Sequence, residues 1–90
     1  MKNKQVQKEV LLDFEQKMSL AEAATFLETI ALKLKEEQAL NIRVGQSEVL
    51  LKPSSQVEFE LKVEKRGSNY SFEVELDWDE QQEYSQLEIE

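Results

Sequence analysis

VEFELKVEKRGSNYSFEVELDWD, residues 57–79, holds two runs of alternating apolar and polar residues around one glycine. Val57, Phe59, Leu61 and Val63 alternate with Glu58, Glu60, Lys62 and Glu64. After Arg66-Gly67-Ser68-Asn69, Tyr70, Phe72, Val74, Leu76 and Trp78 alternate with Ser71, Glu73, Glu75 and Asp77. Side chains of a strand point to opposite faces in turn, so this period of two predicts strands with one apolar and one wet face. A two-residue loop at Gly67-Ser68 pairs Val63 with Phe72, Leu61 with Val74, Phe59 with Leu76 and Val57 with Trp78. Every apolar residue then falls on one side, which is expected to face inward.

Upstream, Leu40, Ile42 and Val44 form a second such run and Val49 and Leu51 a third, separated by Gly45-Gln46. Gly at the first central position suits a two-residue type II′ turn. That turn pairs Val44 with Ser47, Ile42 with Val49 and Leu40 with Leu51. It also sets Arg43 against Glu48, a favourable cross-strand pair on the wet face. Pro53 ends this hairpin, because it has no N–H to give to a ladder.

A helix is expected from about residue 20 to about residue 38. Ser19 with Glu22 three positions on is a capping box, and Met18 stands where a hydrophobic staple begins. Leu20, Ala23, Ala24, Leu27, Ile30, Ala31 and Leu34 recur at three- and four-residue spacing, which draws one apolar stripe. Before the helix, Val10, Leu12 and Phe14 alternate with Glu9, Asp13 and Glu15, predicting one more strand over residues 8–17. Leu11 and Leu50 fall on the nominally wet side.

These elements add up to an α+β domain over residues 8–79: a mainly antiparallel five-stranded sheet in the order β-α-β-β-β-β, with one helix packed on one face. Residues 1–7 read as a disordered tail. Residues 80–90 read as a mobile one, with Tyr84, Leu87 and Ile89 as its apolar residues.

Composition narrows the function classes. The 90 residues contain no Cys and no His, which excludes disulfides, thiolate nucleophiles, imidazole acid–base chemistry and nearly all structural zinc sites. The formal charge of −8 repels phosphate backbones and anionic headgroups, so neither nucleic acid nor membrane is an expected partner. Nine of the eleven basic residues are Lys, leaving Arg43 and Arg66 as the only guanidinium groups. No apolar run reaches the roughly 20 residues of a membrane span, and no apolar segment follows the basic start as in a secretory signal. A soluble cytoplasmic protein is expected.

Three blocks of sequence carry a resemblance: FEQKMSLAEAATFLETIALKL (residues 14–34), LNIRVGQSEVLLKP (residues 40–53) and VEFELKVEKRGSNYSFEVELDW (residues 57–78). A capped helix after an acidic amphipathic segment, together with an amphipathic strand ending in Trp, resembles the small amphi-Trp domain proteins of prokaryotes. The resemblance runs from Phe14 to Trp78. It implies no assigned activity and no catalytic residues to carry over. Many such proteins look halophilic, and the Lys-rich complement here departs from that pattern.

The wet face of the last two strands is the surface where chemistry could reside. The expected register sets Glu58 against Asp77, Glu60 against Glu75 and Lys62 against Glu73, with Glu48 near Glu60 if the third and fourth strands are neighbours. Like charges directly opposite each other are destabilising by about 0.2–1 kcal/mol. Glu48, Glu58, Glu60, Glu75 and Asp77 are therefore candidate oxygen ligands for a weak divalent cation site. Screening by salt explains the same face without a ligand, and the interleaved acidic spacing of a calcium loop is missing. No nucleophile–base constellation and no cofactor motif stands out, so the chain is expected not to be an enzyme and to need no cofactor. The expected role is a non-enzymatic interaction module that uses the acidic face or an exposed strand edge to bind protein. The alternative is a purely structural or self-associating domain. Trp78, in phase with Leu76 and Val74, is read as core rather than as a partner anchor.

Overall fold

A computed structural model describes residues 7–80 of the chain. The elements run α1 (Leu20–Glu37), β1 (Leu40–Val44), β2 (Ser47–Leu51), β3 (Glu58–Arg66) and β4 (Asn69–Asp77). They fall into two compact units, Met1–Leu51 and Lys52–Glu90, each with its own two-stranded antiparallel sheet.

In the first unit, the cap forms as the sequence dictates. Glu22 N–H donates to Ser19 Oγ at 3.0 Å, and Ser19 N–H donates to Glu22 Oε1 at 3.1 Å. Two N–H groups that a helix start leaves without partners are thereby satisfied, and replacing such a cap by Ala typically costs about 1 kcal/mol. The helix stops at Gln38, whose left-handed backbone (φ 55°) lets its N–H donate to Leu34 O at 3.1 Å. Ala23, Ile30 and Leu34 are the half-buried residues of α1, which packs against β1. The buried stripe is therefore narrower than the periodicity suggests: Leu20 and Leu27 remain 86% and 57% exposed.

The β1–β2 register is the expected one, pairing Leu40 with Leu51, Ile42 with Val49, Arg43 with Glu48 and Val44 with Ser47. Leu40, Ile42, Val44, Val49 and Leu51 are half-buried, and Asn41, Arg43, Glu48 and Leu50 are exposed. Gly45 has φ +61°, while Gln46 is not among the positive-φ residues. A positive φ at the first central position alone is the signature of the type II′ turn.

In the second unit, β3 and β4 pair from Glu58 opposite Asp77 to Arg66 opposite Asn69, again in the expected register. Gly67, at φ +62°, plays the part that Gly45 plays in the first hairpin.

Two expectations are corrected. The first is the five-stranded sheet: the structure is α+β, but the four strands among the described residues form two separate antiparallel pairs, and residues 8–17 form no strand. Alternation shows which face a strand buries, but which strand lies beside it depends on contacts far apart in sequence. The second is burial. No described residue is fully buried, and Phe59, Leu61, Val63 and Phe72 are 59%, 56%, 68% and 65% exposed. They share one face, as predicted, but a two-stranded ladder offers that face no second layer of its own. Leu76 and Trp78 are half-buried, and Trp78 lies one residue past the end of β4. The expectations for residues 1–6 and 81–90, including Tyr84, Leu87 and Ile89, fall outside the described residues.

Candidate functional site

The β3–β4 ladder brings together most of the acidic residues singled out in the sequence. Glu60 lies directly opposite Glu75, and Asp77 follows Glu75 on the same face two residues along β4. Carboxylate oxygens of Glu60, Glu75 and Asp77 lie within 4.8 Å of one another, all on exposed side chains. Glu58 pairs with Asp77 but stands outside this trio. Glu48 is elsewhere. Its strand pairs with β1 rather than β3, and its carboxylate accepts from Asn41 Nδ2 at 2.7 Å and from Arg43 at 3.4 Å. The Asn41 contact went unread in the sequence, although its signal was there: Asn41 and Arg43 share a face, so Asn41 is a diagonal neighbour of Glu48.

Crowding of like charges has a direct consequence for Glu75. Its carboxyl is held above the ordinary carboxylate value, first by the charge of Asp77 and a side-chain hydrogen bond with it. The charge of Glu60, slight desolvation and Glu73 add to the effect. Chemically, the trio can hold a shared proton or offer oxygens to a hard cation. Ca²⁺ takes roughly 6–8 oxygen ligands, so three exposed carboxylates would leave most of its shell to water.

The strands differ in what they offer along their edges. β3 mixes signs on its wet face, with Glu58, Glu60 and Glu64 against Lys62 and Arg66. Lys62 Nζ lies 3.8 Å from Glu64. β4 carries only Glu73, Glu75 and Asp77 there as charged groups. On the other face, Lys65 reaches over the ring of its cross-strand neighbour Tyr70, 5.4 Å from the centroid.

Backbone directions follow from the turn. Arg66 and Asn69 flank the two-residue loop and close it with a hydrogen-bonded pair. Pairs then alternate along the ladder, so Glu64, Lys62 and Glu60 bond to β4. The N–H and C=O groups of Lys65, Val63, Leu61 and Phe59 point away from it. Among the described residues, no strand pairs with that outer edge.

Two open surface hollows border the hairpin. One, of about 330 Å³, sits at the turn between Lys65, Arg66 and Asn69. The other, of about 580 Å³, is lined by Val57, Glu58, Asp77, Trp78 and Asp79 at the opposite end.

One capped helix and two short hairpins, the second amphipathic and ending at a Trp, define a small α+β domain protein. A family model, the Amphi-Trp domain, matches residues 6–90, and the chain belongs to that family. The resemblance read from Phe14 to Trp78 thus extends over nearly the whole chain. No curated protein and no solved structure matches it. No helix among the described residues is long and apolar enough to cross a membrane.

Proposed function

We propose that this domain is a non-enzymatic interaction module that works by strand addition at the β3–β4 hairpin. One observation carries the reading: a nine-residue strand, whose outer edge no strand among the described residues pairs with, borders an apolar face on which Phe59, Leu61, Val63 and Phe72 are more than half exposed. Isolated two-stranded hairpins are at best marginally stable in water, and a third strand supplies both the missing hydrogen bonds and apolar cover. The acidic trio plays a subordinate part in this reading, offering carboxylates to basic side chains of the added strand. Divalent cation binding at Glu60, Glu75 and Asp77 is the second reading, favoured by the 4.8 Å convergence of their oxygens. Amide shifts near these three residues in a Ca²⁺ or Mg²⁺ titration test it, and an unchanged spectrum at millimolar ion rules it out.

Amide hydrogen exchange on the isotope-labelled full chain tests the main reading, first in dilute buffer and then in extract of its source cells. In dilute buffer the outward N–H groups of Phe59, Leu61, Val63 and Lys65 exchange fast while those of Glu60, Lys62 and Glu64 are protected. In extract the outward set gains protection and the β1–β2 amides stay as they were. Fast exchange of the outward set under every condition, concentrated pure protein included, overturns the proposal.

A further inference from the structure

The strand that completes this edge is inferred to be β3 of a second copy of the chain, a reading that rests on strand addition at β3 and names its partner. Two antiparallel copies of one strand are related by a twofold axis. Only registers centred on a residue keep the two apolar faces on the same side of the sheet, because a one-residue slip turns a strand over. Charge then discriminates among those registers. Centring on Lys62 sets Lys against Lys and Glu60 against Glu64. Centring on Leu61 sets each Glu60 against Lys62 but also each Glu58 against Glu64, so attraction and repulsion cancel; centring on Glu64 sets Lys62 against Arg66 and Glu64 against itself.

Centring on Val63 is different. Each Lys62 meets Glu64 of the other copy, and each Glu60 meets Arg66, giving four opposite-charge pairs and no like-charge one. Backbone parity agrees with charge. Val63, Leu61 and Lys65 are the residues whose N–H and C=O groups face outward, so Val63 pairs with Val63 and Leu61 with Lys65 through hydrogen bonds. The Lys62–Glu64 pairs then occupy non-hydrogen-bonded positions, where facing side chains approach most closely.

β4 cannot serve in the same way. Centred anywhere in its acidic half, residues 73–77, it sets carboxylate against carboxylate. The β3 edge is thus self-complementary over its whole length, whereas the acidic half of β4 repels its own copy, which favours β3 as the edge that pairs. The product is a four-stranded sheet in the order β4-β3-β3-β4, with Phe59, Leu61, Val63, Phe72 and Val74 of both copies on one continuous face.

Sedimentation equilibrium of the full chain over a dilution series tests this, with circular dichroism to check each variant's fold. K62E and E64K each turn two attractive cross-copy pairs repulsive, and each weakens self-association roughly tenfold. An equimolar mixture of the two variants restores opposite charges at every position and recovers wild-type affinity. Lys62 also faces Glu73 within its own chain; that loss persists in the mixture, so recovery there reports the contact between copies. The chain has no cysteine, so V63C adds a second readout: directly opposed residues lie about 5.5 Å apart, within disulfide reach. V63C therefore oxidises to a covalent dimer and V74C does not. The inference is overturned by a chain that stays monomeric throughout, by single variants that associate like wild type, or by a mixture that recovers nothing. If the outward β3 amides still gain protection in extract, strand addition survives with a different partner; if they do not, both readings fall.

Discussion

The two hairpins of this protein use the same local rules and arrive at different ends. Both close through a Gly at positive φ, and both place their apolar residues on a single face. The apolar face of β1–β2 is half-buried in a unit that supplies a helix. The face of β3–β4, with larger side chains and nearly twice the strand length, stays mostly exposed. Alternation therefore specifies that a face wants cover, and the difference between the hairpins lies in whether cover is supplied nearby in sequence. The helix that packs on β1 ends three residues before it. β3–β4 has no such neighbour within its own unit's described residues.

The sharpest way to break this contrast is to truncate one apolar residue in each hairpin and unfold dilute protein in urea. Ile42→Ala removes a half-buried side chain of the first hairpin and is expected to cost about 1–2 kcal/mol, less than the 2–5 typical of a fully buried site. Leu61→Ala, on the exposed face, is expected to stay within about 0.5 kcal/mol at a concentration where copies are apart. Equal costs would show that the β3–β4 face is already covered within a single chain.

A smaller effect sharpens the likeness of the turns. Gly45→Ala and Gly67→Ala each place a side chain at φ near +60°, and the added methyl group meets no atom within 4 Å at either site. The cost is therefore conformational alone, about 1 kcal/mol at each turn. A clear difference between the two variants would mean that one turn is held by more than its own backbone.

The smallest expected effect concerns pH. Glu75 binds its proton more readily in the folded hairpin than in the unfolded chain, because Asp77 and Glu60 oppose its charge. Its contribution to hairpin stability is fully present below the ordinary value of 4.5. That contribution is lost as pH rises through the raised folded value. Glu75→Gln, neutral at every pH, flattens this dependence. Amide exchange of β3 and β4 at neutral pH and near pH 4 reads it, and an identical profile in wild type and variant would refute the coupling.

Much of the fold was legible because its causes are local. Ser19 and Glu22 sit three apart, and each hairpin register is set by a two-residue loop, so propensity and parity settle them without knowledge of the rest. The pairing of Glu60 with Glu75 was readable for the same reason. The convergence of Asp77 on that pair was not, since it depends on strand twist and side-chain rotamers. Residues 8–17 show the limit from the other side. They alternate, yet form no strand, because an alternating pattern lowers free energy only when a neighbouring strand accepts its hydrogen bonds.

The helix with its cap, both turns, both registers and the charges along each edge follow from residues a few positions apart, so they could be read before any fold was known. The three-dimensional arrangement alone settled that the described strands form two sheets rather than one, that β2 pairs with β1 and not with β3, and that Phe59, Leu61, Val63 and Phe72 stay mostly exposed. Those outcomes depend on which surfaces meet across long stretches of chain, and alternation is the same for a strand that finds a neighbour and for one that does not.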